Sequence, residues 1–154
     1  MNVVSNKLLR VVRAVKTPLQ LLWASPVTVV CFLVYGLPCV ALGWYTSLGI
    51  VGNAVVLVHN PDKMPGWLTN LWKKWTGQCC GNFIVLKAAP GSSDAANRTL
   101  AHELEHTRQI MVWGILQPVM YVLSSFAAAM AGEDRYRQNI FEVAARRKAG
   151  QKID

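Results

Sequence analysis

The chain has 154 residues, 53% hydrophobic and 16% charged, with 16 Lys and Arg against 8 Asp and Glu. That length builds one core and excludes two full domains. A mean hydropathy of +0.26 is apolar for a soluble enzyme, and a formal net charge of +8 suits nucleic acid, anionic lipid or the cytoplasmic flank of a membrane.

At the N-terminus Val4, Leu8, Val11, Val15, Leu19 and Leu22 recur every three or four residues, while Lys7, Arg10 and Lys16 take other directions on the wheel. This predicts a basic amphipathic helix. It suits either an anionic membrane surface or packing against the rest of the chain, and Thr17-Pro18 is expected to end or kink it. No small-x-small cleavage site follows, so an uncleaved anchor is expected.

From Thr17 to Val58 there are 42 residues without Asp, Glu, Lys or Arg, whereas one membrane crossing needs about 20. The stretch "YGLPC" at Tyr35 to Cys39 divides them. Either a helical hairpin results, or one crossing and an interfacial piece. Lys7, Arg10, Arg13 and Lys16 precede the run, and Lys63, Lys73, Lys74 and Lys87 follow it. Positive charge on both sides suits a hairpin with both ends cytoplasmic. No recognition or stacking motif accompanies the lysines, so nucleic acid is not an expected partner. Cys31 and Cys39 read as small hydrophobes, and the adjacency of Cys79 and Cys80 suits neither a zinc knuckle nor a strain-free disulfide. Four reduced thiols are expected.

Next, Trp67, Leu68, Leu71, Trp72 and Trp75 form an aromatic helical stripe beside Lys73 and Lys74. A membrane interface selects such pairs, and a small core would use the same tryptophans. Phe83 to Leu86, "FIVL", predicts a short strand between turn residues. A helix is then expected after Ser92, Ser93, Asp94 and Asn97, each a candidate N-cap.

Within that helix stands "HELEH". His102 and His106, four residues apart, share a face, so both imidazoles reach one ion. Glu103 is placed to take a proton from water activated by that ion. The ordinary alternative is a polar face on which Glu103 and Glu105 pair with Arg98 and Arg108. Gln109, three residues past His106, either orients a ligand or substrate or is a surface amide. The 24 residues from Gln109 to Gly132 again carry no charge, and they predict a helix kinked near Gln117-Pro118 that turns the chain back. Beyond them Glu142 lies in "NIFEVAARR", an acid brought close to apolar surface. Such a carboxylate is costly unless paired or metal-bound; Arg146 at i+4 is its alternative partner.

His102-Glu103-Leu104-Glu105-His106, followed after 35 residues by Glu142-Val143-Ala144-Ala145, resembles the HExxH and ExxA signature of gluzincin metallopeptidases. It is also similar to membrane-embedded prenyl-protein endopeptidases. "HELEHTRQ" with "YRQNIFEVAA" further resembles short bacterial and phage proteins of the pattern HExxHxxQ, Tyr, Asn and FExxA. The resemblance covers about a third of the chain, residues 97 to 148. It implies zinc (Zn2+) held by His102, His106 and Glu142, with Glu103 as catalytic base and acid. It departs at Arg146, where the membrane peptidases commonly carry Asp.

The expected fold is therefore mainly α: a zincin-like minimal core of active-site helix, short strand and glutamate helix, behind an apolar N-terminal membrane-type region. Residues 1–58 form the helix and hairpin or anchor, and residues 59–154 the metal-binding domain. The strand "FIVL" is expected to offer its edge to an extended peptide. The expected function is a membrane-associated zinc metallopeptidase acting on peptide or protein, in contact with lipid and within a homo- or hetero-oligomeric assembly. The alternative is a non-catalytic structural or membrane-inserting protein such as a phage virion component.

Overall fold

The computed structural model describes the backbone of residues 3–153 and the side chains of residues 16–70 and 73–153. The side chains of Val4, Lys7, Leu8, Arg10, Val11, Arg13, Val15, Leu71 and Trp72, on which two of the predicted helical faces depend, lie outside the described residues.

Four strands form one sheet: β1 (Tyr45–Val51), β2 (Ala54–His59), β3 (Gly77–Cys80) and β4 (Phe83–Leu86). Their order is β1-β2-β4-β3, with β2 and β4 parallel and the outer pairs antiparallel. The predicted strand Phe83–Leu86 is thus one of four, and the chain, mostly helical as expected, is a mixed helix and sheet fold with three strands beyond the one expected. The reason is local. Residues read as a second apolar helix are rich in Val and Ile, which favour a pleated surface. Gly52-Asn53 then closes a two-residue hairpin with Gly52 at φ +60°, the left-handed first position that such a turn requires. Because β2 pairs with β4, the sheet crosses the division expected at residue 58.

Gly81-Asn82 closes the second hairpin the same way, with Gly81 at φ +71°. The two turns touch: Asn82 Nδ2 donates to Asn53 O at 2.8 Å, and Thr28 Oγ1 accepts from Asn82 N at 2.9 Å. Thr28 belongs to α1 (Val3–Cys31), which continues through Pro18 and Pro26 instead of ending at Thr17. A π-helical turn (Phe32–Gly36) and α2 (Leu37–Ala41) extend it, so "YGLPC" changes the helical pitch without separating two spans. A short helix, α3 (Gly66–Trp72), follows β2.

All four residues of β4 are buried. Phe83 and Val85 pack with Leu57, Cys39, Met64 and Leu68 on one face; Ile84 and Leu86 pack with Val56, Val58, Leu100 and Leu104 on the other. Alternation along the strand therefore fills two cores, each such side chain contributing roughly 1.5–3 kcal/mol. The second face is covered by α4 (Asp94–Trp113), capped by Ser93, whose hydroxyl accepts from Ala96 N at 3.1 Å.

The kink predicted near Gln117-Pro118 begins slightly earlier. Gly114 ends α4 at φ +55°, and α5 (Gln117–Met130) starts with Pro118 in its first turn, where proline is tolerated. A Cβ at Gly114 would lie 2.3 Å from Trp23 Nε1. Trp23 of α1 thus fills the elbow, beside Ala24, which packs on Ile110 and Met111. After α5, a loop leads into α6 (Ile140–Lys148).

Much apolar surface is left outside these cores. Lys16–Ala41 and Asp94–Met130 are long and apolar enough to cross a membrane by length and composition, and little of either is buried within the chain, 17% and 22%. Leu19 and Leu22, the described residues of the N-terminal stripe, are exposed, as are Trp67 and Trp75.

Candidate metal centre

Helix α4 carries His102 and His106 one turn apart, both buried, with their Nε2 atoms 3.1 Å from each other. Helix α6 brings Glu142 against them: Oε2 lies 3.3 Å from His102 Nε2 and Oε1 3.3 Å from His106 Nε2. A tetrahedral ion with bonds of about 2.0–2.1 Å keeps its ligand atoms about 3.3 Å apart. The three residues stand at about that spacing, each imidazole facing a different oxygen of Glu142. Glu142 Oε2 is moreover buried with His102 Nε2 as its polar neighbour at 3.3 Å, and a buried carboxylate is costly unless paired or met by a cation. The residues present therefore fit a divalent ion, and among the described residues this is the one such cluster of His, Cys, Asp or Glu.

The fold holds the third ligand through two polar residues. Tyr121 of α5 donates from its hydroxyl to Glu142 Oε1 at 2.8 Å. Asn139, fully buried, caps α6 by accepting from Phe141 N at 2.9 Å and donates through Nδ2 to Tyr121 O and Ser125 Oγ at 2.9 and 2.7 Å. So α5 and the start of α6 are tied at the residue that sets the direction of Glu142. Arg146 makes no ion pair with Glu142; it donates to Arg137 O at 2.9 Å and stacks over Tyr136. Burial raises the Glu142 pKa, but hydrogen bonding from His102 and His106 outweighs it and holds the carboxyl well below its ordinary range.

Glu103 lies outside the cluster, turned toward β3. Burial pushes its carboxyl up to about 7, opposed by His106 and His102, reinforced by Glu142 and again opposed by the Cys79 N–H. Such a group takes and returns a proton near neutral pH. Gly77 makes room for it: a Cβ there would stand 3.0 Å from Glu103 Oε1 and 2.8 Å from Thr99 Cγ2. Cys79 Sγ, 3.3 Å from Thr107 Oγ1, joins β3 to α4. Glu105, by contrast, follows the ordinary reading and forms a bidentate pair with Arg108.

These groups line a cleft of about 340 Å³ with Trp75, Gln78, Tyr121 and Tyr136 at its walls. Its strand edge is β3. The predicted edge "FIVL" lies between β2 and β3, both sides paired, so β4 is corrected to an interior strand. Cys79 is one of four free thiols. The third histidine, His59, is elsewhere: it bonds the Tyr35 hydroxyl, and burial and Lys87 lower its pKa to about 4.

His102, Glu103, His106 and Glu142, all legible in the sequence, meet in one cleft. Tyr121, Gly77 and Gln151 carry no such signal, because their positions depend on tertiary packing. Compared with protein-family models, curated proteins and solved structures, the chain matches none.

Proposed function

We propose that this chain is a membrane-associated zinc metallopeptidase with a zincin-like core, hydrolysing peptide bonds of a peptide or protein. The observation that carries the reading is the cluster of His102, His106 and Glu142, close enough to hold one ion and with Glu103 beside it in an open cleft. Two imidazoles and one carboxylate, without thiolate, are the donor set of catalytic zinc sites. A zinc ion held there would supply Lewis acidity, polarising a carbonyl and bringing the pKa of water near 7.

The chain's own groups supply the rest. Glu103 takes the proton of the attacking water and delivers it to the leaving nitrogen. The outer edge of β3, where the Cys79 N–H already meets Glu103, aligns an extended main chain. Trp75 and Tyr136 stand at the walls of the cleft, where they would flank a bound chain.

Membrane association rests on the two charge-free stretches, 17–41 and 109–132. Their apolar side chains face outward, and they leave the charged first half of α4 outside the lipid.

Protein purified without chelator should contain about one zinc per chain, and His102→Ala should contain none. Glu103→Gln should keep the zinc and lose cleavage of an unfolded protein substrate. A parent free of zinc under those conditions, with no zinc taken up on titration, sinks the metallopeptidase reading and leaves a non-catalytic membrane protein.

A further inference from the structure

Both histidine ligands have a second nitrogen, and each of these meets a glutamine. His106 Nδ1 lies 2.9 Å from Gln109 Oε1, and His102 Nδ1 lies 3.1 Å from Gln151 Oε1. The amide of Gln109 is buried, and its Nε2 donates to Phe141 O at 3.0 Å. A backbone carbonyl only accepts, so the amide nitrogen must face Phe141 and the oxygen must face His106. The oxygen in turn only accepts, so His106 Nδ1 carries a proton. Its Nε2 is then the nitrogen turned toward Glu142. Gln109 therefore orients one ligand and, through the carbonyl preceding Glu142, holds the helix that carries another.

Gln151 reaches the centre by a different route. Helix α6 ends in a Schellman turn: Gly150 takes φ +63°, and Gln151 N donates to Arg146 O at 2.9 Å. This folds the chain back so that Gln151 meets His102. The amides add no charge, and the only formal charge in the ligand set is that of Glu142.

We infer that Gln109 and Gln151 are the positioning residues of the metal centre, neutral amides whose oxygens hold a proton on Nδ1 of His106 and His102 and so aim both Nε2 atoms at one point. The inference rests on the zinc reading for its purpose, but the proton on Nδ1 is a property of the chain alone. Partners of this kind are worth roughly 10–100-fold in metal affinity.

The test uses the full chain in detergent and two readouts. Nitrogen NMR of the imidazoles, recorded before any metal is added, should show a proton on Nδ1 of both His102 and His106. That proton should become delocalised between the two nitrogens at His106 in Gln109→Leu and at His102 in Gln151→Leu. A bare Nδ1 on either ring in the parent overturns the inference. Cobalt titration should then show affinity lowered roughly 10–100-fold in each Leu variant.

Gln109→Glu separates positioning from simple anchoring. Glu keeps an acceptor for His106 but has no donor for Phe141 O, so it should recover most of the cobalt affinity and the Nδ1 proton. If it binds as poorly as Leu, Gln109 only anchors α6 and the positioning role fails. Leu variants that bind cobalt like the parent also overturn it. A parent that binds no cobalt but shows both Nδ1 protons, each no longer confined to Nδ1 in the matching Leu variant, sinks the zinc reading and leaves the orienting role standing.

Discussion

At the scale of single residues, Gly77 decides where the proposed base can stand. It is tolerated in a strand because the space its side chain would occupy belongs to Glu103, Thr99 and Leu86. Gly77→Ala should therefore displace the Glu103 carboxylate while leaving the three ligands untouched. Zinc content should stay at parent level, and cleavage should fall on the order of a hundredfold, since displacements near 1 Å at a reacting group cost that much. Equal loss of zinc and activity would show that Gly77 supports the helix and not the base. The histidines and both glutamates were legible because two imidazoles four apart around an acid have few other uses. Gln151 was not, because nothing in "AGQKID" says that the turn at Gly150 ends against His102.

At the scale of elements, the question is what returns α6 to α4. Asn139 does most of this through one side chain that serves as cap, as donor to Tyr121 O and as donor to Ser125 Oγ. Removing a cap costs about 1 kcal/mol, and leaving buried acceptors unpaired costs a further 1–3 kcal/mol. Asn139→Ala should thus lower stability by about 3 kcal/mol in chemical denaturation and weaken zinc binding with it. Asn139→Asp keeps the cap and should lose less. A change under about 1 kcal/mol for the alanine variant would mean that α5 and α6 are held elsewhere. The sequence indicated that a return was needed but not its fastening, since Asn before Ile140 reads only as an N-cap. The missed strands have a different cause. Val and Ile without charges satisfy both a membrane helix and a buried strand, and the Gly-Asn pairs at 52–53 and 81–82 were the local signals that favour hairpins.

At the scale of the whole molecule, the exposed apolar side chains of α1 and α5 outnumber what the two small cores require. Val122 and Phe126 on α5 are 65% and 63% exposed, and exposed apolar patches of this extent mark an interface. With vesicles containing anionic lipid the chain should float and resist carbonate extraction. Val122→Lys with Phe126→Lys should weaken this insertion and leave zinc content unchanged, because neither residue lines the cleft. Monodisperse parent protein in detergent-free buffer, with no flotation, would assign those faces to a protein assembly instead of lipid.

Trp23 gives the apolar N-terminal helix a second meaning. Its indole occupies the space at Gly114 where the chain turns from α4 into α5, and that turn is what delivers Tyr121 and Glu142 to the histidines. The apolar helix thus also wedges the break between α4 and α5 that lies beside the proposed metal centre. A fragment trimmed to residues 45–154 would keep His102, His106 and Glu142 and lose the indole packed at the break between the helices.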